Sequence, residues 1–521
     1  MKTLFSSSSR LPFAVFLLVL VALGCQSEPV TVETPSGALA GTSNGTTRVF
    51  LGIPFAAPPV GDLRFAAPQP LAPWKGVLDA TAPSPICPQF DSLSGTNFNE
   101  DSDEDCLYLN IWAPTAPGPH PVMVFMHGGG YVTGAGSEAL YDGQRISEAR
   151  RVIVITINYR LGPLGFLAVP GAANNGLRDQ QEALRWLKKS ISAFDGDPSR
   201  VTLFGESAGA GSTCVQLVSP AAAGLFQRAV LESAPCTGFD LPDAARAGRQ
   251  FERFIQAIGC SGIAPDDGSQ PNAKASAQLL TCLRQPSTKA VLGALPLAEQ
   301  LIYGPGETWG PTVDGDVLPD QPVPLFRAGG SKKVSLIVGA NQNEGTFFFR
   351  SDDIQDETDL RSALDNLFLA KDVDAIVARY GSTPTARQVA ISIVSDVFTC
   401  DARRIARMHV AEGGVAYHYR FSVPVYGTFT GLGAFHASEL PFVFDNPVRG
   451  VSILPVGFPL VKSMQGYWTE FARSGDPNGP SRLPWSRYNA GSDRSLQLDL
   501  HSKQVSGVQK EACDFWDTLR L

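Results

Sequence analysis

The sequence predicts an α/β protein built on a large, mostly parallel, twisted central sheet flanked by helices. Three observations predict it. Short apolar runs rich in Val and Ile recur at 121–126, 152–157, 201–204 and 334–338, each bounded by Gly or polar residues. Segments with helical periodicity lie between them. One serine, Ser207, stands between two glycines where such a run gives way to a helical segment.

A continuous apolar run suits a strand buried on both faces, as inside a parallel sheet. The stretch after the leader reads as short strands with turns, with Val30-Thr31-Val32-Glu33 before Pro35-Ser36-Gly37. Residues 177–191 place Ala183, Leu184, Leu187 and Ile191 on one helical face and the charged residues elsewhere. Residues 415–421 alternate as a strand does. Residues 261–276 are rich in Gly, Pro, Asp and Asn and are expected as loop, turning helical over 279–284. The length, 521 residues, would allow several domains, but no linker or repeat divides the chain. A single domain over 26–521 is expected.

The N-terminus reads as a targeting segment rather than as part of the fold. Lys2 and Arg10 precede an apolar run over 11–23 that ends at Gly24-Cys25. That order is the export pattern, and the run is too short to span a bilayer. Val21-Ala22-Leu23-Gly24-Cys25 also resembles a bacterial lipobox, with Ala22 where leucine is usual. Two outcomes fit: lipidation and membrane attachment at Cys25, or plain cleavage nearby. The protein is thus expected to be exported: periplasmic, an outer-membrane lipoprotein, or secreted. The net charge of -8 gives no reason to seek nucleic acid as a partner. None of the nine cysteines lies in a CxxC pair, so a zinc or redox site has little support. Export permits disulfides among the eight beyond Cys25.

The chemistry concentrates at Gly205-Glu206-Ser207-Ala208-Gly209, a G-x-S-x-G pattern at a strand-to-helix junction. Glycines allow the sharp turn that holds the serine out at the sheet edge, at a helix N-terminus that favours negative charge. A serine needs a base, and six histidines are available. His120 and His127 precede the nucleophile, His409 lies in a helical stretch, His418 in a strand, and His501 near the C-terminus. His436 lies in a Gly-rich loop downstream, where the order Ser…Asp/Glu…His places its base. The carboxylate between them is Glu344, which follows 334–338, or Asp314 in Val313-Asp314-Gly315. His127-Gly128-Gly129-Gly130, after the strand at 122–126, offers main-chain N–H groups to an oxyanion.

With these motifs and several longer ones, the chain resembles the type-B carboxylesterase family of α/β-hydrolases, which includes the cholinesterases. The likeness covers nearly the whole mature chain. It rests on residues 50–56 with Pro58-Pro59, Glu104-Asp105-Cys106-Leu107-Tyr108-Leu109-Asn110, Asn175-Gly176-Leu177-Arg178-Asp179-Gln180 and Phe204–Gly209. It rests also on Asn343-Glu344-Gly345, His436 with Glu439, and residues 467–473 with Gly475-Asp476-Pro477-Asn478.

The resemblance implies the α/β-hydrolase fold, Ser207 as nucleophile, Glu344 rather than Asp314 as acid, and His436 as base. It implies oxyanion donors at Gly129, Gly130 and Ala208, and supporting positions at Glu206 and Ser233. It further implies disulfides Cys87–Cys106, Cys260–Cys282 and Cys400–Cys513. Cys214 and Cys236 match no family pair, and are left to pair with each other or stay free. The implied activity is ester hydrolysis through an acyl-enzyme on small to medium, mostly uncharged esters, with neither metal nor cofactor. The loop from Cys87 to Cys106 holds Phe90 and Phe98 but no Trp to bind a choline cation. Tyr131 is expected to line the gorge, and the stretch 234–239 lacks the bulky Trp of cholinesterases. Residues 91–103 and 262–276 are expected to set substrate choice. The fold also serves as a recognition scaffold in neuroligin-like modules, but those lack the nucleophile that this chain retains.

Overall fold

The apolar runs become neighbouring strands of one sheet. The computed structural model describes residues 28–520, apart from 91–97, 264–272, 298–307, 332, 350–353, 369, 382–384 and 447–450. Residues 1–27, with the expected targeting segment and Cys25, lie outside the described residues, as do parts of both loops expected to set substrate choice.

Fifteen strands are described: β1 (Glu28–Thr34), β2 (Gly37–Ser43), β3 (Thr47–Pro54), β4 (Val77–Asp79), β5 (Tyr108–Pro114), β6 (His120–Met126), β7 (Ile153–Ile157), β8 (Gly196–Glu206), β9 (Arg228–Glu232), β10 (Ser335–Asn341), β11 (Ala416–Phe421), β12 (Tyr426–Gly427), β13 (Val451–Ser452), β14 (Arg494–Leu498) and β15 (Lys503–Ser506). Thirteen form one sheet in the order β1-β2-β3-β5-β7-β6-β8-β9-β10-β11-β14-β15, with β4 on β2. Strands β12 and β13 make a separate small ribbon. From β7 through β14 every neighbour is parallel, and antiparallel pairs extend both sides.

The two faces of the sheet carry different parts of the core. Along β6, Val122, Val124 and Met126 pack into one cluster, while Met123 and Phe125 pack into another. The first cluster takes Leu177, Ala183, Leu184 and Leu187 of the helix Asn175–Ser190. The second takes Met464, Tyr467, Trp468 and Phe471 of the helix Phe458–Ser474. A third, apart from the sheet centre, joins the helices Ala386–Ala411 and Lys510–Arg520 around Phe398 and Trp516.

Two local expectations differ from the structure. The helix Ala273–Leu283 begins before 279, inside the stretch expected as loop. Its first residues, Ala273-Lys274-Ala275, are strong helix formers, and the Gly/Pro-rich composition ends just ahead of them. The polar face of Asn175–Ser190 does not simply meet water. Asp179 is buried in a two-pronged ion pair with Arg160, at 2.6 and 2.8 Å. Gln180 and Gln181 bond to Ser212 and Gln216 of the next helix.

Among the described residues four disulfides are formed: Cys87–Cys106, Cys214–Cys236, Cys260–Cys282 and Cys400–Cys513. The pairing of Cys214 with Cys236, left open by sequence, joins the helix Ala208–Val218 to the segment after β9. None of the helices among the described residues is long and apolar enough to cross a membrane.

Candidate active site

The sheet register brings the carboxyl ends of five parallel strands level. Met126 pairs with Gly205, Glu206 with Glu232, Gly339 with Glu232, and Asn341 with Phe421. Loops leaving this edge are therefore neighbours in space, the usual place for a site in a parallel sheet.

Ser207 sits at the turn from β8 into the helix Ala208–Val218, with φ 55° and ψ −123°. A non-glycine residue at positive φ is strained and persists only where its surroundings enforce it. Here the two flanking glycines permit it. A Cβ on Gly205 would lie 2.6 Å from the Gly209 carbonyl, and one on Gly209 2.0 Å from the Met126 carbonyl oxygen. The Ser207 N–H donates to the Glu232 carbonyl at 3.0 Å, and its own carbonyl accepts from Gly211 at 2.8 Å.

The loops after β10 and β11 are laced together. Asn343 N–H donates to Ala434, and Ala434 N–H returns to the Asn343 side chain at 3.1 Å. This lacing brings His436 Nδ1 to 2.6 Å from Glu344 Oε2. The other Glu344 oxygen accepts from Ser233 Oγ at 2.5 Å and from Asn341 N–H at 2.6 Å. Glu344 is wholly buried. Three donors around one carboxylate suit an anion, and an anion at Nδ1 keeps the proton there. Nε2 is then the basic nitrogen. Among the described residues it has no hydrogen-bond partner, and it lies 3.2 Å from Glu206 Oε1. Phe348 and Phe398 pack against the ring, at 4.9 and 5.1 Å.

The other candidates lie elsewhere. Asp314 shapes a turn, accepting from Leu318 N–H at 2.9 Å, and sits 3.7 Å from Arg178. His127 stacks on Tyr159 and bonds its own loop at Gly128; burial pulls its pKa down to about 4. His409 and His418 bond to Ser331 and Ser495, and burial likewise pulls each down to about 4. His120 bonds the Ala116 carbonyl, and His501 is exposed.

The glycine loop backs directly onto Ser207. A Cβ on Gly128 would lie 2.8 Å from Glu206 Oε2 and 3.2 Å from Ser207 Cβ. Gly129 and Gly130 take φ of 102° and 60°. No hydrogen bond with a described residue engages the N–H groups of Gly129, Gly130 or Ala208. Gln89 braces the loop, accepting from Thr133 Oγ1 and Gly134 N–H at 2.7 and 2.9 Å. Sequence reading missed Gln89, whose role depends on a contact between distant loops.

Behind the imidazole lie three more buried carboxyls. Burial, then the Glu344 and Glu232 charges, push the Glu206 pKa well above the usual carboxylate range. Glu439 is raised to about 8 by burial and by Glu206 and Glu344. Glu232 is raised by burial and by Glu439, although Trp468 Nε1 donates to it. Burial and the closeness of like charges both favour the protonated forms of these carboxyls. Glu232 and Asn341, which donates its side-chain amide to Glu439, were also missed, because neither has a local signature.

Ser207 and Ala208 open on a cavity of about 140 Å³, lined among others by Tyr131, Phe239, Trp309 and Phe398. Trp309 lines it although the stretch 234–239 has no Trp. Such an arrangement can deliver a hydroxyl to a carbonyl carbon, take its proton, and hold the resulting oxyanion with main-chain donors.

The carboxylesterase family profile matches residues 28–516. The para-nitrobenzyl esterase of Bacillus subtilis (strain 168) is 35% identical over 489 residues, covering 90% of this chain and 94% of that one. The acetylcholinesterase of Bungarus fasciatus is 31% identical over 533 residues, covering 93% of this chain and 86% of its own. A solved PNB esterase superposes with a TM-score of 0.80 at 34% identity, over 93% of this chain and 99% of that one. A thermophilic PNB esterase also gives 0.80, at 33% identity and the same coverage. The chain belongs to the carboxylesterase family. It is a carboxylic-ester hydrolase of the α/β-hydrolase fold.

Proposed function

We propose that the protein hydrolyses small to medium, mostly uncharged esters through an acyl-enzyme on Ser207. The observation that carries this reading is the His436–Glu344 hydrogen bond, with Nε2 3.2 Å from the Oε1 of Glu206, the residue that immediately precedes the strained Ser207 elbow. His436 takes the Ser207 proton as Oγ attacks the ester carbonyl. The oxyanion is held by the N–H groups of Gly129, Gly130 and Ala208. His436 then protonates the leaving alcohol and activates the water that releases the acid. Losing one oxyanion donor costs on the order of 10²–10³ in rate. No cofactor or metal takes part.

The cavity walls favour mostly uncharged substrates, being aromatic and aliphatic at Tyr131, Phe239, Leu241 and Trp309, with one carboxylate, Asp240, and one guanidinium, Arg246, of opposite sign. A relative named for para-nitrobenzyl esters makes such esters natural probes. In this reading residues 26–521 act as one catalytic domain, exported to the periplasm, to a membrane through lipidated Cys25, or to the medium. Four disulfides suit an oxidising compartment. Mass spectrometry of the mature N-terminus separates lipidation from plain cleavage.

The test of the nucleophile is covalent labelling by a fluorophosphonate together with Ser207→Ala. The parent is expected to label at Ser207 and the variant neither to label nor to hydrolyse, with unchanged circular dichroism. Hydrolysis retained by a folded Ser207→Ala protein refutes the assignment.

A further inference from the structure

The segment Ser233–Phe239 forms a wall of the cavity. Pro235 and Phe239 face the space beside Ser207, and Ser233 donates to Glu344. The segment has no helix or strand of its own, so its position depends on what grips it.

It is gripped from two sides. On one side Cys236 is bonded to Cys214, two turns beyond Ser207 on the helix Ala208–Val218. On the other stands Asp401 of the helix Ala386–Ala411. The Asp401 carboxylate accepts from Cys236 N–H at 2.7 Å, from Thr237 N–H at 2.9 Å and from the Thr237 hydroxyl. One turn on, Arg404 donates to the Thr237 carbonyl at 3.0 Å and is anchored by Asp517 at 2.8 Å. Val397 closes the gap, since a Cβ on Gly238 would lie 2.7 Å from its Cγ1. Asp401, Cys214 and Cys236 are all buried. A buried carboxylate is costly unless its charge is matched; here the matching donors come from the cavity wall and Arg404. None of these grips bonds to Ser207, His436 or Glu344. The disulfide also lies outside the three pairings implied by the family resemblance.

We propose that the Cys214–Cys236 disulfide and Asp401 form a clamp that sets substrate size: they hold Pro235 and Phe239 at a fixed distance from Ser207, and so limit the ester group that enters. This rests on the reading of Ser207 as nucleophile. A clamped wall excludes long chains, whereas a released one yields to them. Each further methylene a pocket can bury adds up to roughly fourfold in kcat/KM. Cys214, Cys236 and Asp401 are positioning residues, acting through the wall rather than on the reacting atoms.

The experiment compares kcat/KM for p-nitrophenyl acetate and octanoate in the parent, Cys214→Ala/Cys236→Ala, Asp401→Asn and the milder Thr237→Val. Arg48→Ala serves as control, because it breaks the Arg48–Asp195 ion pair (2.7 Å) ahead of β8, at the opposite end of that strand from Ser207, and lines no part of this cavity. In the clamp variants the octanoate-to-acetate ratio is expected to rise about tenfold or more, with Thr237→Val intermediate. Fluorophosphonate labelling of Ser207 should persist, and the control should keep the parent ratio. An unchanged ratio in any folded clamp variant overturns the proposal, as does an equal rise in the control. Should Cys214→Ala/Cys236→Ala or Asp401→Asn not fold, Thr237→Val decides alone. A parent that hydrolyses esters but does not label at Ser207 overturns the nucleophile reading, and the clamp with it. A labelled parent with an unchanged ratio in its variants overturns only the clamp.

Discussion

Replacing Gly209 with alanine is expected to remove most of the activity and part of the stability. The new Cβ would lie 2.0 Å from the Met126 carbonyl oxygen and 2.7 Å from that of His127, where ordinary contact begins near 3.4 Å. Neither obstacle is the tip of a flexible side chain. Both are main chain, one at the end of β6 and one at the start of the glycine loop. Relief requires the Ser207 helix and that loop to part by more than an ångström. A misplacement of about 1 Å costs on the order of 10²-fold in rate. Overpacking a buried position costs about 1–3 kcal/mol. The expected result is a fall in kcat/KM of about 100-fold or more and a loss of about 2–3 kcal/mol, read by p-nitrophenyl butyrate hydrolysis and urea titration. Gly248→Ala is the matched control. It lies inside the helix Ala244–Ala257, and its Cβ would meet nothing within 4 Å. That variant should gain about 0.5–1 kcal/mol and keep its activity. A Gly209→Ala protein with parental rate and midpoint would refute the reasoning.

Three further outcomes are expected. Glu344→Gln keeps the volume but sets an amide against the imidazole N–H. It should lower kcat by about 10³–10⁴-fold with circular dichroism unchanged, and a loss under tenfold would speak against Glu344. Glu439 is held near 8 against an ordinary 4.5, so the folded chain keeps a proton that the unfolded chain has released. Its stabilising contribution is complete below about 4.5 and is lost as pH rises toward 8. The parent Tm should therefore drop more between pH 5 and 8 than that of Glu439→Gln; parallel melting curves would exclude this. Removing Cys400–Cys513, which spans 113 residues, should cost about 4–5 kcal/mol, and removing Cys87–Cys106, which spans 19, about 3. Urea midpoints in the reverse order would contradict the loop-length argument.

What could be read from the sequence was what is local. The buried strands declare themselves by uninterrupted apolar runs, and the Ser207 turn by its flanking glycines. Which acid meets which histidine is not local. Glu344 follows a strand and Asp314 stands in a plausible Asp-Gly turn, and only the resemblance, then the lacing of Asn343 to Ala434, separates them. The buried ion pair of Asp179 with Arg160 defeats a simple apolar-in, polar-out reading of its helix. Asp401 gives no warning at all, because a lone aspartate in a helix acquires meaning only from the loop packed against it. The start of the helix at Ala273 was missed for a different reason: composition averaged over a window hid a boundary within it.

The level ends of β6, β8, β9, β10 and β11 make activity a witness to assembly. Strand pairing alone aligns groups drawn from distant parts of the chain, and a slip of one residue turns a strand's side chains to the opposite face. A nascent or clipped polypeptide lacking β11 also lacks His436, and so has no weakened version of the chemistry to leak. With His436 as the proposed base, turnover is expected only once β11 has docked, which would make an ester assay a stringent probe of folding for this molecule.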